Sequence, residues 1–244
     1  MIARKLRLEP RLSPSPPLNI YIGFDVAERV AYHVLCQSLI DHASVPIRIV
    51  PITLSGLTGL HSRSRVSQQS TDFSFSRFLT PFLSGYEGWS LFMDCDMLVR
   101  GDIAQLFALA DERFAALVAR HDYTPRDSEK FLGHVQLPYP KKNWSSVILF
   151  NNARCRALTP AYVDTASGLD LHQFKWLASD DDIGDLPLEW NWLVGEYPAN
   201  ASAKIVHFTR GGPYFEQYAD CDYADEWRAA QARAMGAWGI DARA

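Results

Sequence analysis

The chain first becomes regular at Leu18 to Phe24, LNIYIGF, a short apolar and β-prone run. Asp25 follows as an N-cap with Glu28 three residues on, in capping-box spacing, and Val30, Ala31, Val34, Leu35 and Leu39 then recur at helical intervals. Strand, tight turn and helix in this order open a βαβ unit. IRIVPI, Ile47 to Ile52, reads as a second strand, and the Ser-rich stretch from Leu54 to Ser70 as a long loop of the kind that often carries function. Phe75, Phe78, Leu79 and Phe82 then share one helical face that Gly85 ends. WSLFM, Trp89 to Met93, is a buried strand leading straight into Asp94-Cys95-Asp96.

Further strands are expected at Phe114 to Val118, Val147 to Phe150 and Lys204 to Phe208, and helices at Ile103 to Leu109 and Ala224 to Met235. The alternation implies an α/β protein, a single Rossmann-like domain with a mostly parallel central sheet flanked by helices, whose ligands bind at the carboxyl ends of strands. The Ser/Pro-rich residues 1–17 read as a flexible N-terminal arm and residues 18–244 as the domain.

Composition narrows the function. With 48% hydrophobic and 21% charged residues the 244-residue chain can bury a core, which argues against general disorder. A net charge of −4 argues against a nucleic-acid partner. No apolar run approaches the roughly 18–20 residues that span a bilayer, so a cytoplasmic protein is expected, and the basic start MIARKLR allows at most weak peripheral membrane contact at the inner face. The four cysteines, Cys36, Cys95, Cys155 and Cys221, lack CxxC spacing and read as reduced thiols.

Carboxylates at the end of a buried strand face the ligand crevice of an α/β sheet. Their hard oxygens suit Mg²⁺ or Mn²⁺ holding a diphosphate, although the same triplet also serves as an acidic turn capping a helix. His207, before the turn Thr209-Arg210-Gly211-Gly212-Pro213, is either a structural imidazole or the third member of that metal site, with the glycines letting backbone approach phosphate. Arg77, emerging from an apolar face, is either a solvated charge or the partner of an anion or carboxylate. Asp180-Asp181-Asp182 reads as a solvated turn or, with Trp190, Asn191 and Trp192, as a sugar platform. His121-Asp122 stands near the cleft at the end of a strand.

In their order and spacing, Asp25, Arg77, Asp94/Asp96, Ser145-Ser146 before VILFNN, Asp180 to Asp182 and His207-Phe208 resemble the GT-A-fold glycosyltransferases of family 8, over roughly Asn19 to Tyr214. The resemblance implies that Gly23, Phe24 and Asp25 line the base and ribose pocket. It also implies that Arg77 supports the donor diphosphate, that Asp94, Asp96 and His207 hold the metal with Cys95 between them, and that Asp180 or Asp181 contacts the donor sugar. Ser145 and Ser146 stand at the family's conserved strand entry, where Trp144 replaces an asparagine or Asn143 is a shifted one. Pro213 stands where the family carries a lysine, leaving Arg210, beside Gly211 and Gly212, as the nearest cation.

The expected function is therefore a metal-dependent glycosyltransferase using Mn²⁺ or Mg²⁺. It would move a hexose from a nucleotide diphosphate sugar, a UDP-sugar by resemblance, to the hydroxyl of a glycan, lipopolysaccharide or other acceptor, with retention. The alternative is a non-catalytic carbohydrate- or nucleotide-binding domain with a structural divalent ion. Nucleotidyl transfer is disfavoured because no Gly-rich, Lys-containing loop follows the first strand.

Overall fold

The computed structural model describes residues 16–63, 69, 71–122, 133 and 139–236. Most of the expected arm, and parts of the loop from Leu54 to Ser70, lie outside them. Among the described residues the central sheet has six strands: β1 (Leu18–Gly23), β2 (Ile47–Ile52), β3 (Trp89–Met93), β5 (Ala116–Ala119), β6 (Val147–Asn151) and β7 (Ile183–Leu186), in the order β2-β1-β3-β6-β5-β7. It is mostly parallel, with β6 alone antiparallel to its neighbours β3 and β5. All the parallel strands end at one edge, and β6 starts there. The central strands β3, β5 and β6 are almost wholly buried, which is why WSLFM, ALVA and VILFN read as unbroken apolar runs.

A second, three-stranded sheet, β4-β9-β8, contains β4 (Met97–Val99), β9 (Ile205–His207) and β8 (Trp192–Leu193). The acidic triplet is thus followed by a strand rather than by a helix for it to cap. Helix α1 (Arg29–His42) and the C-terminal helix α6 (Ala224–Ala234) pack together beside β4, and Val34, Leu98, Val206, Phe208, Trp227 and Ala230 form a second apolar core there. Arg233 on α6 closes this contact by donating to Asp41 on α1 at 2.8 Å.

The single helix expected over Phe75 to Phe82 is divided into a 3-10 turn, Ser76–Leu79, and the short α2, Thr80–Leu83. Pro81 has no N–H to offer the Arg77 carbonyl, which instead accepts from the Thr80 N–H and, at 2.8 Å, from the Thr80 hydroxyl. The remaining helices are short: α3 (Ile103–Phe107), α4 (Pro160–Thr165) and α5 (Gly168–His172). Asp25 caps a 3-10 turn by accepting from Ala27 N–H, while Glu28, buried at 1% exposure, accepts a 2.6 Å hydrogen bond from Tyr214.

At the end of β1 the backbone runs against the Phe73 ring, so a Cβ on Gly23 would lie 2.3 Å from its carbons. Gly23→Ala is expected to cost on the order of 1–3 kcal/mol by overpacking. Urea unfolding measures this, and parent-like stability would show that the Phe73 ring yields freely.

Candidate metal and ligand site

Asp94 leaves the carboxyl end of β3 and Asp96 enters β4, with 9% and 7% of their surfaces exposed. The antiparallel register of β4 and β9 sets Met97 opposite His207, and Phe208 N–H donates to the Asp96 carbonyl at 2.9 Å. This pairing carries His207 to the acidic turn. One potential ligand atom from each of Asp94, Asp96 and His207 lies within 4.8 Å of the others, and His207 Nε2 is 3.3 Å from Asp96 Oδ1. Two carboxylates and an imidazole converging at the ligand edge of the sheet are a donor set that fits Mn²⁺ or Mg²⁺.

Arg77 is buried and turned toward Asp94. Its Nη1 lies 2.7 Å from Asp94 Oδ1 and donates to the Ser145 carbonyl at 2.9 Å, while Nε donates to the Ser74 carbonyl at 3.1 Å. The guanidinium sits 5.3 and 5.1 Å from the centres of the Phe73 and Phe92 rings. Arg77 therefore has a carboxylate partner, one of the alternatives that its place on an apolar face suggests, and its charge orients Asp94.

Ser145 and Ser146 reach the same edge from the start of β6. The Ser146 carbonyl accepts from Asp94 N–H at 2.9 Å, and the Ser145 hydroxyl lies 2.7 Å from His172 Nδ1. Burial, with the charges of Arg77 and Lys142 nearby, pushes His172 down to about 3. The imidazole is therefore neutral near pH 7, and its Nδ1 shares one hydrogen bond with the Ser145 hydroxyl. Nothing in the sequence marks His172: it is a lone histidine near the end of α5, brought in by packing against Phe78.

His121, which follows β5, is likewise pushed down to about 3, first by burial and then by His207, and its Nδ1 lies 3.0 Å from the Tyr197 hydroxyl. Asn191, read from the sequence as part of a sugar platform, is fully buried instead and has Oδ1 3.0 Å from His207 Nδ1.

The other expected positions divide. Both Asp25 oxygens accept backbone N–H groups, from Ala27 at 2.8 Å and Asp72 at 2.9 Å, so this carboxylate ties the segment before Arg77 to the end of β1. Phe24 is half-buried and edge-on to Tyr32. Gly211 takes φ +127°, a conformation that glycine adopts without strain, and Gly212 packs so closely on Tyr214 that a Cβ would lie 2.4 Å from its ring. Arg210 Nη1 reaches the Gly195 carbonyl at 3.4 Å.

Cys95 offers a ligand no side-chain surface: its thiol is fully buried in the main core, and burial pushes it well up. Asp180 and Asp181 do not join the cluster. They form a 3-10 turn before β7, at the amino end of the parallel strands, where the Asp182 carbonyl accepts from Ala115 N–H at 2.8 Å. Asp180 pairs with Lys141 at 2.5 Å, and Ser179 caps Asp181. Trp190 is a core residue at 2% exposure rather than a sugar platform.

This α/β fold is that of GT-A-type glycosyltransferase structures. The chain is similar to the bifunctional glycosyltransferase WbbM (TM-score 0.62, 16% identity, 92% of this chain and 51% of that one). It is also similar to the glycosyltransferase GlyE of Streptococcus pneumoniae TIGR4 (0.59, 16%, 88% and 60%) and to the galactosyltransferase LgtC (0.53, 13%, 88% and 96%). The chain thus spans about half of WbbM and three fifths of GlyE, and at these identities the likeness is one of fold. No protein-family profile matches the sequence. The chain is 44% identical over 224 residues to Protein CDI of Arabidopsis thaliana, covering 88% of this chain and 86% of that protein, and it belongs to the family of Protein CDI.

Breaking a buried ion pair from one side costs about 3–5 kcal/mol, so Arg77→Met should destabilise the fold by that order. Denaturant unfolding at neutral pH reads it, and a loss below about 1 kcal/mol would mean that Asp94 finds another partner. His172 titrates near 3 when folded against roughly 6.5 when unfolded, so only the unfolded chain takes up its proton between those values. The stability it protects is complete above about pH 6.5 and is lost as pH falls, with a slope of up to about 1.4 kcal/mol per pH unit. Between about pH 6.5 and 5, His172→Asn should flatten the fall in urea midpoint by one histidine's share. An unchanged slope contradicts this assignment.

Proposed function

We propose that the chain is a metal-dependent, nucleotide-sugar glycosyltransferase of the family 8 type, in which residues 18–244 act as one catalytic unit. It transfers a hexose from a UDP-sugar to the hydroxyl of a glycan, lipopolysaccharide or other acceptor, with retention of configuration. The observation that supports this reading is the convergence of Asp94, Asp96 and His207 at the carboxyl edge of a GT-A-type sheet.

Asp94, Asp96 and His207 would hold Mn²⁺ or Mg²⁺. When bound, such an ion supplies positive charge where the departing diphosphate becomes more negative. Arg77 keeps Asp94 pre-oriented, so the ligand carboxylate need not reorganise during reaction. The turn Arg210-Gly211-Gly212, directly after His207-Phe208-Thr209, brings backbone and one guanidinium to the diphosphate. Gly23, Phe24 and Asp25, at the end of β1, border the base and ribose. Ser145 and Ser146 complete the floor through the carbonyls that hold Arg77 and Asp94. Asp180 and Asp181, held away in their own turn, are given no part in this arrangement.

A screen of nucleotide sugars with Mn²⁺ should release free nucleoside diphosphate from one of them. Asp96→Asn and His207→Ala should then lower turnover about a hundredfold or more while the variants stay folded. Full activity in excess chelator would remove the metal from the mechanism, and turnover of none of the sugars would favour a binding domain.

A further inference from the structure

Asn191 is fully buried, between the 3-10 turn Leu188–Trp190 and β8, and its side-chain amide makes two contacts of opposite sense. Nδ2 donates to the Asn143 carbonyl at 3.1 Å, and Oδ1 lies 3.0 Å from His207 Nδ1. A carbonyl can only accept, so the NH₂ must face Asn143 and the oxygen must face the imidazole. An oxygen acceptor at Nδ1 in turn requires a proton on Nδ1. In the neutral imidazole that a cation requires, the lone pair is then on Nε2, the nitrogen facing Asp96 at 3.3 Å.

The same amide also joins the two halves of the site. Asn143, held in the left-handed region at φ +62°, begins the turn whose Ser145 and Ser146 carbonyls fix Arg77 and Asp94 N–H. Asn191 therefore links the strand that carries His207 to the turn that sets Asp94, without reaching the cluster itself.

We propose that Asn191 is a positioning residue that holds His207 as the Nδ1–H tautomer, with Nε2 aimed as a ligand into the Asp94–Asp96 site. The proposal rests on the metal site of the proposed function. Partners of this kind typically change metal affinity by about 10–100-fold when removed. In Asn191→Leu, of similar size, the Nδ1 proton loses its acceptor and Nε2–H turned toward Asp96 becomes the better tautomer, which blocks a cation.

Nitrogen NMR of the metal-free chain labelled at histidine reads the tautomer, and calorimetric titration with Mn²⁺ alone reads affinity. The parent should carry the His207 proton on Nδ1. Asn191→Leu should lose it and bind Mn²⁺ about 10–100-fold more weakly. Asn191→Asp, which keeps an acceptor for Nδ1–H, should retain the parent's tautomer even where it lowers stability. An unprotonated Nδ1 in the parent or in Asn191→Asp overturns the proposal, as does a folded Asn191→Leu with the parent's tautomer and affinity. A parent that binds no Mn²⁺ yet holds the Nδ1–H tautomer would instead refute the metal reading and leave Asn191 as the residue that orients His207.

Discussion

Two carboxylates two residues apart and nearly buried form an arrangement that a protein can maintain only with compensating charge and hydrogen bonds. Asp94 and Asp96 are in that position, and much of the surrounding structure answers it. Arg77 meets Asp94 from a 3-10 turn on one side, and on the other the Asp96 backbone is held by Phe208 N–H while its carboxylate faces His207 Nε2 across the proposed cation site. Arg77 can be there because the Phe73 and Phe92 rings lie close to its guanidinium and the backbone carbonyls of Ser74 and Ser145 accept from its Nε and Nη1. The pair is thus built into the core, and the aromatic segment before α2 serves to deliver one cation.

Sheet topology puts these pieces at a single edge. Every parallel strand of the large sheet finishes there, and β6, running the other way, begins there with Ser145 and Ser146. The small sheet then solves a separate problem, bringing a residue from late in the chain to the acidic turn. The β4–β9 register does so through three residue pairs, and α1 and α6 brace it from behind with the second apolar core. A slip of one residue in that register would turn His207 to the opposite face and dismantle the cluster while leaving the large sheet intact.

The parts of this plan visible in the sequence are those with a local signature. The buried strands β1, β3 and β6 announce themselves as short apolar runs, and β3 was bounded at the same residues that the structure gives it. The acidic turn followed from its position after such a strand. The short strands β4 and β8 carry too few residues for any period to register. Their identity comes from pairing with β9, a long-range event. His172 was not assigned, and Asn191 was read as part of a sugar platform rather than as the partner of His207, for the same reason: each contact joins residues that are not neighbours in the chain. Asp180 and Asp181 failed in the opposite sense, since an acidic run is locally conspicuous yet lies by the wrong end of β7. Cys95 shared the triplet but not its surroundings, since its thiol is buried in the main core.

The central claim is that Asp94, Asp96 and His207 act together on one divalent ion at a nucleotide-sugar site. Anomalous diffraction at the manganese edge, from crystals grown with Mn²⁺ and a nucleoside diphosphate, tests it most directly. The account predicts one strong anomalous peak within coordinating distance of all three side chains, with the diphosphate against it and the glycine turn alongside. A peak elsewhere, or none while the diphosphate is bound and the three side chains stay paired to their present protein partners, would contradict it.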